Sequence, residues 1–146
     1  MNLSPNFTLV ELTHTDHREL ENVPNEAEIQ NLYRLAQFLE QVRDLLARPI
    51  MVNSAFRSKA VNDAVGSKDT SQHRLGCAAD IRVPGMTPDE VVRAIMGSGL
   101  EYDQLIREFA TPKGGGWTHV SIPGTPVAVA RGQALVIDRL GIRAFA

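Results

Sequence analysis

Ser71-Gln72-His73-Arg74-Leu75-Gly76-Cys77-Ala78-Ala79-Asp80 is the densest run of polar function in the chain. Residues 66–76 are loop by composition, and residues 78–83 read as a buried strand. A histidine leaving a loop and an aspartate entering a strand can converge on one cation if the chain turns sharply between them. Gly76 supplies that turn, and Ala78 and Ala79 keep the wall thin. A third ligand is offered by Trp117-Thr118-His119-Val120-Ser121, where strand alternation sends His119 to the face opposite Val120. Two histidines and one carboxylate leave the fourth tetrahedral position open, as in catalytic rather than structural zinc sites. Spacing alone does not separate this from histidines satisfied by ordinary hydrogen bonds.

Outward from this run, Asn25 reads as the cap of a long helix over residues 26–47. Its apolar stripe is Ile29, Leu32, Leu35, Ala36, Leu39, Val42 and Leu46, and Pro49 stops it. Thr8, with Glu11 three residues on, caps a short helical turn within an otherwise loop-like residues 1–25. Residues 49–53 form a β-type run, 54–59 a polar turn and 62–65 a helical turn. Thr87 or Asp89 opens a second helix with Val91, Val92, Ile95 and Met96 inward, ended by Gly97 and Gly99. Residues 102–109 and 117–122 are two strands joined by Thr111-Pro112-Lys113-Gly114-Gly115-Gly116. Residues 127–137 add a strand pair or an extended tail. Helices in front and antiparallel strands behind make an α+β fold.

The chain has 146 residues, 43% apolar and 22% charged, so one globular domain spanning 1–146 is expected. A net charge of −2 and scattered basic residues argue against nucleic acid as a partner. The single cysteine, Cys77, excludes an intrachain disulfide. No apolar run reaches the ~20 residues of a membrane span, and no basic stretch followed by an apolar one opens the chain. The expectation is a monomer, cytoplasmic as synthesised and without membrane insertion.

Ser71, His73, Gly76, Ala78 and Asp80 match Ser-x-His-x-x-Gly-x-Ala-x-Asp, which resembles the signature of the zinc D-Ala-D-Ala carboxypeptidase family, whose fold hedgehog signalling domains share. Phe7-Thr8 with Glu11, Asn22 with Pro24, Asn31-Leu32, Asn53-Ser54-Ala55-Phe56-Arg57-Ser58, Asn62 with Val65-Gly66, and Trp117 with His119 resemble its compact phage and prophage branch. The resemblance runs to about Arg131. It implies an antiparallel sheet with helices on one side and a zinc cleft on the other. One zinc ion would be held by His73, Asp80 and His119, with Arg57 contacting substrate and Ser71 and Trp117 beside it. The implied substrate is the stem peptide of peptidoglycan, cut at D-Ala–D-Ala or at L-Ala–D-Glu after release to the wall. Ser71 reads equally well as a loop cap.

Many relatives carry Glu or Asp three residues before the second histidine ligand, where this chain has Gly116. Glu108 is the candidate general base, because it ends the strand pairing with that of His119. Directly opposite His119, with Phe109 opposite Thr118, it shares the ligand face; a one-residue slip sends it to the other side. Asp103 is the alternative. His14 and His17 have metal-like spacing but no third ligand nearby, and Cys77 reads as packing behind the site. The missing carboxylate at 116 also leaves open a non-catalytic wall-binding or virion structural protein.

Overall fold

The computed structural model describes residues 1–146. A small hairpin opens the chain, β1 (Asn2–Ser4) against β2 (Phe7–Thr8), where the sequence suggested only loop. Thr8 then caps α1 (Leu9–Leu12) as expected: its hydroxyl accepts the Glu11 N–H, and the Glu11 carboxylate accepts the Thr8 N–H. The same reciprocal cap between Asn25 and Glu28 starts α2 (Glu26–Leu46). Ala47 ends that helix in a left-handed conformation two residues before Pro49. Leu32, Leu35, Ala36, Phe38, Leu39 and Val42 are its buried stripe.

After β3 (Met51–Ser54) and α3 (Lys59–Ala64), a 3-10 turn (Gln72–Leu75) leads into β4 (Ala78–Arg82). Thr87, Glu90 and Pro88 at the first helical position start α4 (Pro88–Met96). Its Val91, Val92 and Ile95 are buried, whereas Met96, expected inward, is 43% exposed because Gly97 ends the helix there. The chain continues through β5 (Gln104–Glu108), β6 (Trp117–Ser121), β7 (Gln133–Asp138) and β8 (Gly141–Ala144).

The six-stranded sheet runs β3-β4-β6-β5-β7-β8. Four of its five pairings are antiparallel, and β5–β7 is parallel. The expected antiparallel sheet thus carries one parallel pair: β7 returns beside β5 only after a long crossover. Ala79, Ile81, Leu105 and Val120 belong to one apolar cluster of 22 buried residues with α2 and α4. Burial of Ile81, Leu105 and Val120 contributes about 1.5–3 kcal/mol each. Asp80, His119 and Ile106 form a row across β4, β6 and β5 on the opposite face, with Trp117 and Glu108 in the next row. The helices thus cover one face and leave the other to polar chemistry. No helix is long and apolar enough to cross a membrane.

Candidate metal centre

His73 is carried by the 3-10 turn and is 3% exposed. The Ser71 hydroxyl accepts the His73 N–H at 3.2 Å, so Ser71 caps the turn. Gly76 closes it at φ +76°, where a Cβ would stand 2.9 Å from the Glu28 carbonyl oxygen and 3.1 Å from Leu32 Cγ. Only glycine lets the turn lie this close to α2. The His73 ring is then aimed by one contact: Nδ1 lies 2.7 Å from the Ala55 carbonyl oxygen. A carbonyl only accepts, so Nδ1 carries the proton and Nε2 presents its lone pair.

That lone pair faces Asp80. Asp80 Oδ1 is 3.3 Å from His73 Nε2 and 3.2 Å from His119 Nδ1. The two imidazoles meet edge to face, 5.1 Å between centroids. One donor atom from each of the three residues falls within 4.8 Å of the others. A tetrahedral zinc with bonds of ~2.1 Å spaces its ligand atoms about 3.4 Å apart, so the two measured separations fit such an ion. Burial pushes the Asp80 carboxyl up, but the two imidazoles beside it, His73 first, outweigh this and hold it well below the usual carboxylate range. A carboxylate kept ionised and imidazole nitrogens turned toward it form a donor set suited to zinc. His119 Nε2 is buried without a partner.

Glu108 pairs with Trp117, and Ile106 stands opposite His119. The expected pairing is therefore displaced by two residues, which preserves the face. Arg107 rather than Phe109 stands opposite Thr118, and Phe109, just past the last pair, has a left-handed backbone (φ +53°). Glu108 lies half-buried within the fields of Asp80, His119 and Arg57. Burial and Asp80 raise its pKa above the ordinary value, against a smaller lowering by His119, Trp117 and Arg57. The Trp117 indole N–H approaches this carboxylate without completing a hydrogen bond.

Gly116 explains the missing carboxylate. At φ +73°, a Cβ there would sit 2.5 Å from the Glu108 carbonyl oxygen and 2.5 Å from the Ala110 nitrogen. The hairpin backbone fills the space a side chain needs.

Arg57 is half-buried, with its N–H donating to the His73 carbonyl at 3.0 Å. Its Nε is buried and unpartnered. Burial draws the guanidinium pKa down, and Asp80 and Glu108 pull it partly back. Asp103 is committed elsewhere. Its carboxylate accepts from Arg131 Nη2 at 2.7 Å and Gln72 Nε2 at 2.7 Å, and Arg131 above all holds its pKa down. An acid held ionised by an arginine is a poor proton acceptor. The network also ties Gln72, the residue before His73, to Asp103 at the entry to β5, a link that their 31-residue separation hid from the sequence.

His14 and His17 make exposed contacts with Asp16 and Glu19, each at 3.4 Å, outside the ligand cluster. Cys77 is fully buried 3.8 Å from Arg34 Nη2. A cavity of about 620 Å³ lies on the helix face between α4 and residues 110–116, and none of His73, Asp80 and His119 lines it.

Comparison with curated proteins gives no match. A family model described as peptidase M15 matches residues 5–121, a span that contains the ligand triad, Arg57 and Glu108. With that match over most of its length, the chain belongs to the peptidase M15 family, whose members are zinc-dependent peptidases.

Proposed function

We propose that this protein is a zinc peptidase that hydrolyses bonds beside D-amino acids in the stem peptides of peptidoglycan, acting after its release to the wall. One observation carries the reading. One face of the sheet, with the turn that carries His73 and the loop that carries Arg57, brings two imidazole nitrogens and a carboxylate oxygen together beside a second, half-buried carboxylate and a half-buried guanidinium. A structural zinc site would need a fourth protein ligand, and none joins the three.

His73, Asp80 and His119 would hold the ion, which when bound polarises the scissile carbonyl and acidifies water. Glu108 takes a proton from the attacking water and delivers it to the leaving amine. Its raised pKa makes it a stronger proton acceptor than an exposed carboxylate. The unpartnered Nε of Arg57 supports a role in pairing with the substrate carboxylate next to the scissile nitrogen. Trp117 forms the wall beside Glu108, while Ser71 acts through the His73 turn.

The test is zinc content measured together with product release from purified muropeptides. One zinc per chain with a newly freed amine supports the proposal. Full zinc without cleavage of any stem would overturn it in favour of a wall-binding protein that retains the fold.

A further inference from the structure

Phe109 is a bulky residue held at φ +53°, a conformation that L side chains adopt only at a cost and that clusters at functional sites. Ordinary alternation would send its ring to the face opposite Glu108. The left-handed turn instead brings it against Trp117, 5.6 Å between centroids with the planes tilted by 36°. Trp117 is two residues from His119 on the same strand face, about 7 Å along β6. Phe109 lies beyond it and is 46% exposed. The outcome is an open aromatic ledge roughly 7–12 Å from the ligand triad, a reach of two to three extended residues.

We infer that this ledge seats a sugar ring of the glycan strand, so that the bond cut is the first amide within the stem. The inference rests on the proposed peptidoglycan activity and sharpens it. Arg57 does not choose between the two candidate bonds. In both, a free carboxylate lies on the residue that supplies the leaving nitrogen: the terminal carboxylate of D-Ala, or the α-carboxylate of a γ-linked D-Glu. The ledge does choose. With the terminal bond in the cleft, groups two to three residues away are the charged middle of the stem on one side and nothing on the other. With the first bond in the cleft, the acyl side carries one alanine, the lactyl group and then a pyranose. That ring alone presents a flat, weakly polar face to a half-buried tryptophan extended by an exposed phenylalanine. In the reaction, the water oxygen adds to the alanine carbonyl carbon and the carbon–nitrogen bond breaks. The proton passes through Glu108 to the amine of D-Glu.

Trp117 is the chain's only tryptophan, so its emission reports ledge occupancy without any turnover. Zinc-loaded protein would be titrated with a disaccharide-tetrapeptide and, separately, with the sugar-free tetrapeptide, and cleavage of both would be followed. The sugar-bearing ligand should shift the emission saturably and have the lower KM. Phe109→Ala should narrow that KM difference by roughly three- to tenfold, the loss of one aromatic contact, and Phe109→Tyr should restore it. Equal KM for the two ligands in the native protein, or an unchanged ratio in a folded Phe109→Ala variant, would overturn the inference while leaving the peptidase reading intact. A saturable, Phe109-dependent shift without any cleavage would uphold the ledge and sink the peptidase reading.

Discussion

Gly116→Glu puts a carboxylate where many relatives carry one, and it should fail to act as a base. Two costs follow from the backbone. A residue with a Cβ at φ +73° is strained by about 1–2 kcal/mol. Its Cβ would also overlap the Glu108 carbonyl oxygen at 2.5 Å, the Ala110 nitrogen at 2.5 Å and Ala110 Cα at 2.6 Å. All three are backbone atoms of the paired strand end and cannot rotate away, and forced overpacking costs about 1–3 kcal/mol. Together these give roughly 2–5 kcal/mol, or a melting point lower by about 4–20 °C. A domain of ordinary stability remains folded at 25 °C after such a loss. Thermal unfolding of the zinc-loaded variant measures the cost. Turnover of the Glu108→Gln, Gly116→Glu double variant measures the rescue, which should be absent because the displaced hairpin cannot aim the new carboxylate. A Gly116→Glu protein as stable as the parent, or a double variant with restored turnover, would refute this account of the hairpin.

His119→Ala should lose most bound zinc and all activity, whereas His14→Ala, His17→Ala and Cys77→Ala should retain both; metal analysis with a turnover assay decides, and full zinc in the first variant would be fatal to the ligand set. Glu108→Gln should keep its zinc yet fall in kcat by roughly 10²–10⁴-fold, with a smaller change in KM, as steady-state kinetics would show. Arg131→Ala should cost about 1–3 kcal/mol, because it strips the charged partner from a buried carboxylate. Asp103 has a depressed folded pKa, so its stabilisation is full above the unfolded value of ~3.9 and lost as pH falls through the folded one. The stability gap between the parent and Asp103→Asn should accordingly be constant near neutral pH and shrink in acid; a gap that grows on acidification would contradict the sign.

What could be read from the sequence was governed by local physics. Asn25 and Glu28, Thr87 and Glu90, and Thr8 and Glu11 cap helices through bonds spanning three residues, so type and start were legible together. Ser71, His73, Gly76 and Asp80 lie within ten residues, and the turn that folds them together is built from their own hydrogen bonds. The rest depends on distant partners. Nothing near Ala55 shows that its carbonyl will aim the His73 ring from 18 residues away. The parallel pairing of β5 with β7 requires a crossover that periodicity does not encode. The hairpin pairs two residues away from the expected register, and no composition rule signals a left-handed phenylalanine at the end of β5. The face of Glu108 survived the error only because the displacement was even.

Asp80 and His119 stand opposite each other on two central strands, so an ion held by both would act as a judge of strand alignment during folding. Were β4 and β6 to pair one residue out of step, the carboxylate and the imidazole would point to opposite sides of the sheet, and no cation could join them. Chains caught in that misalignment gain nothing from zinc, while correctly aligned chains are drawn forward by mass action as the ion binds. The catalytic centre would then double as a proofreader of the sheet that carries it, and zinc present during refolding would raise the yield of native protein as well as its activity.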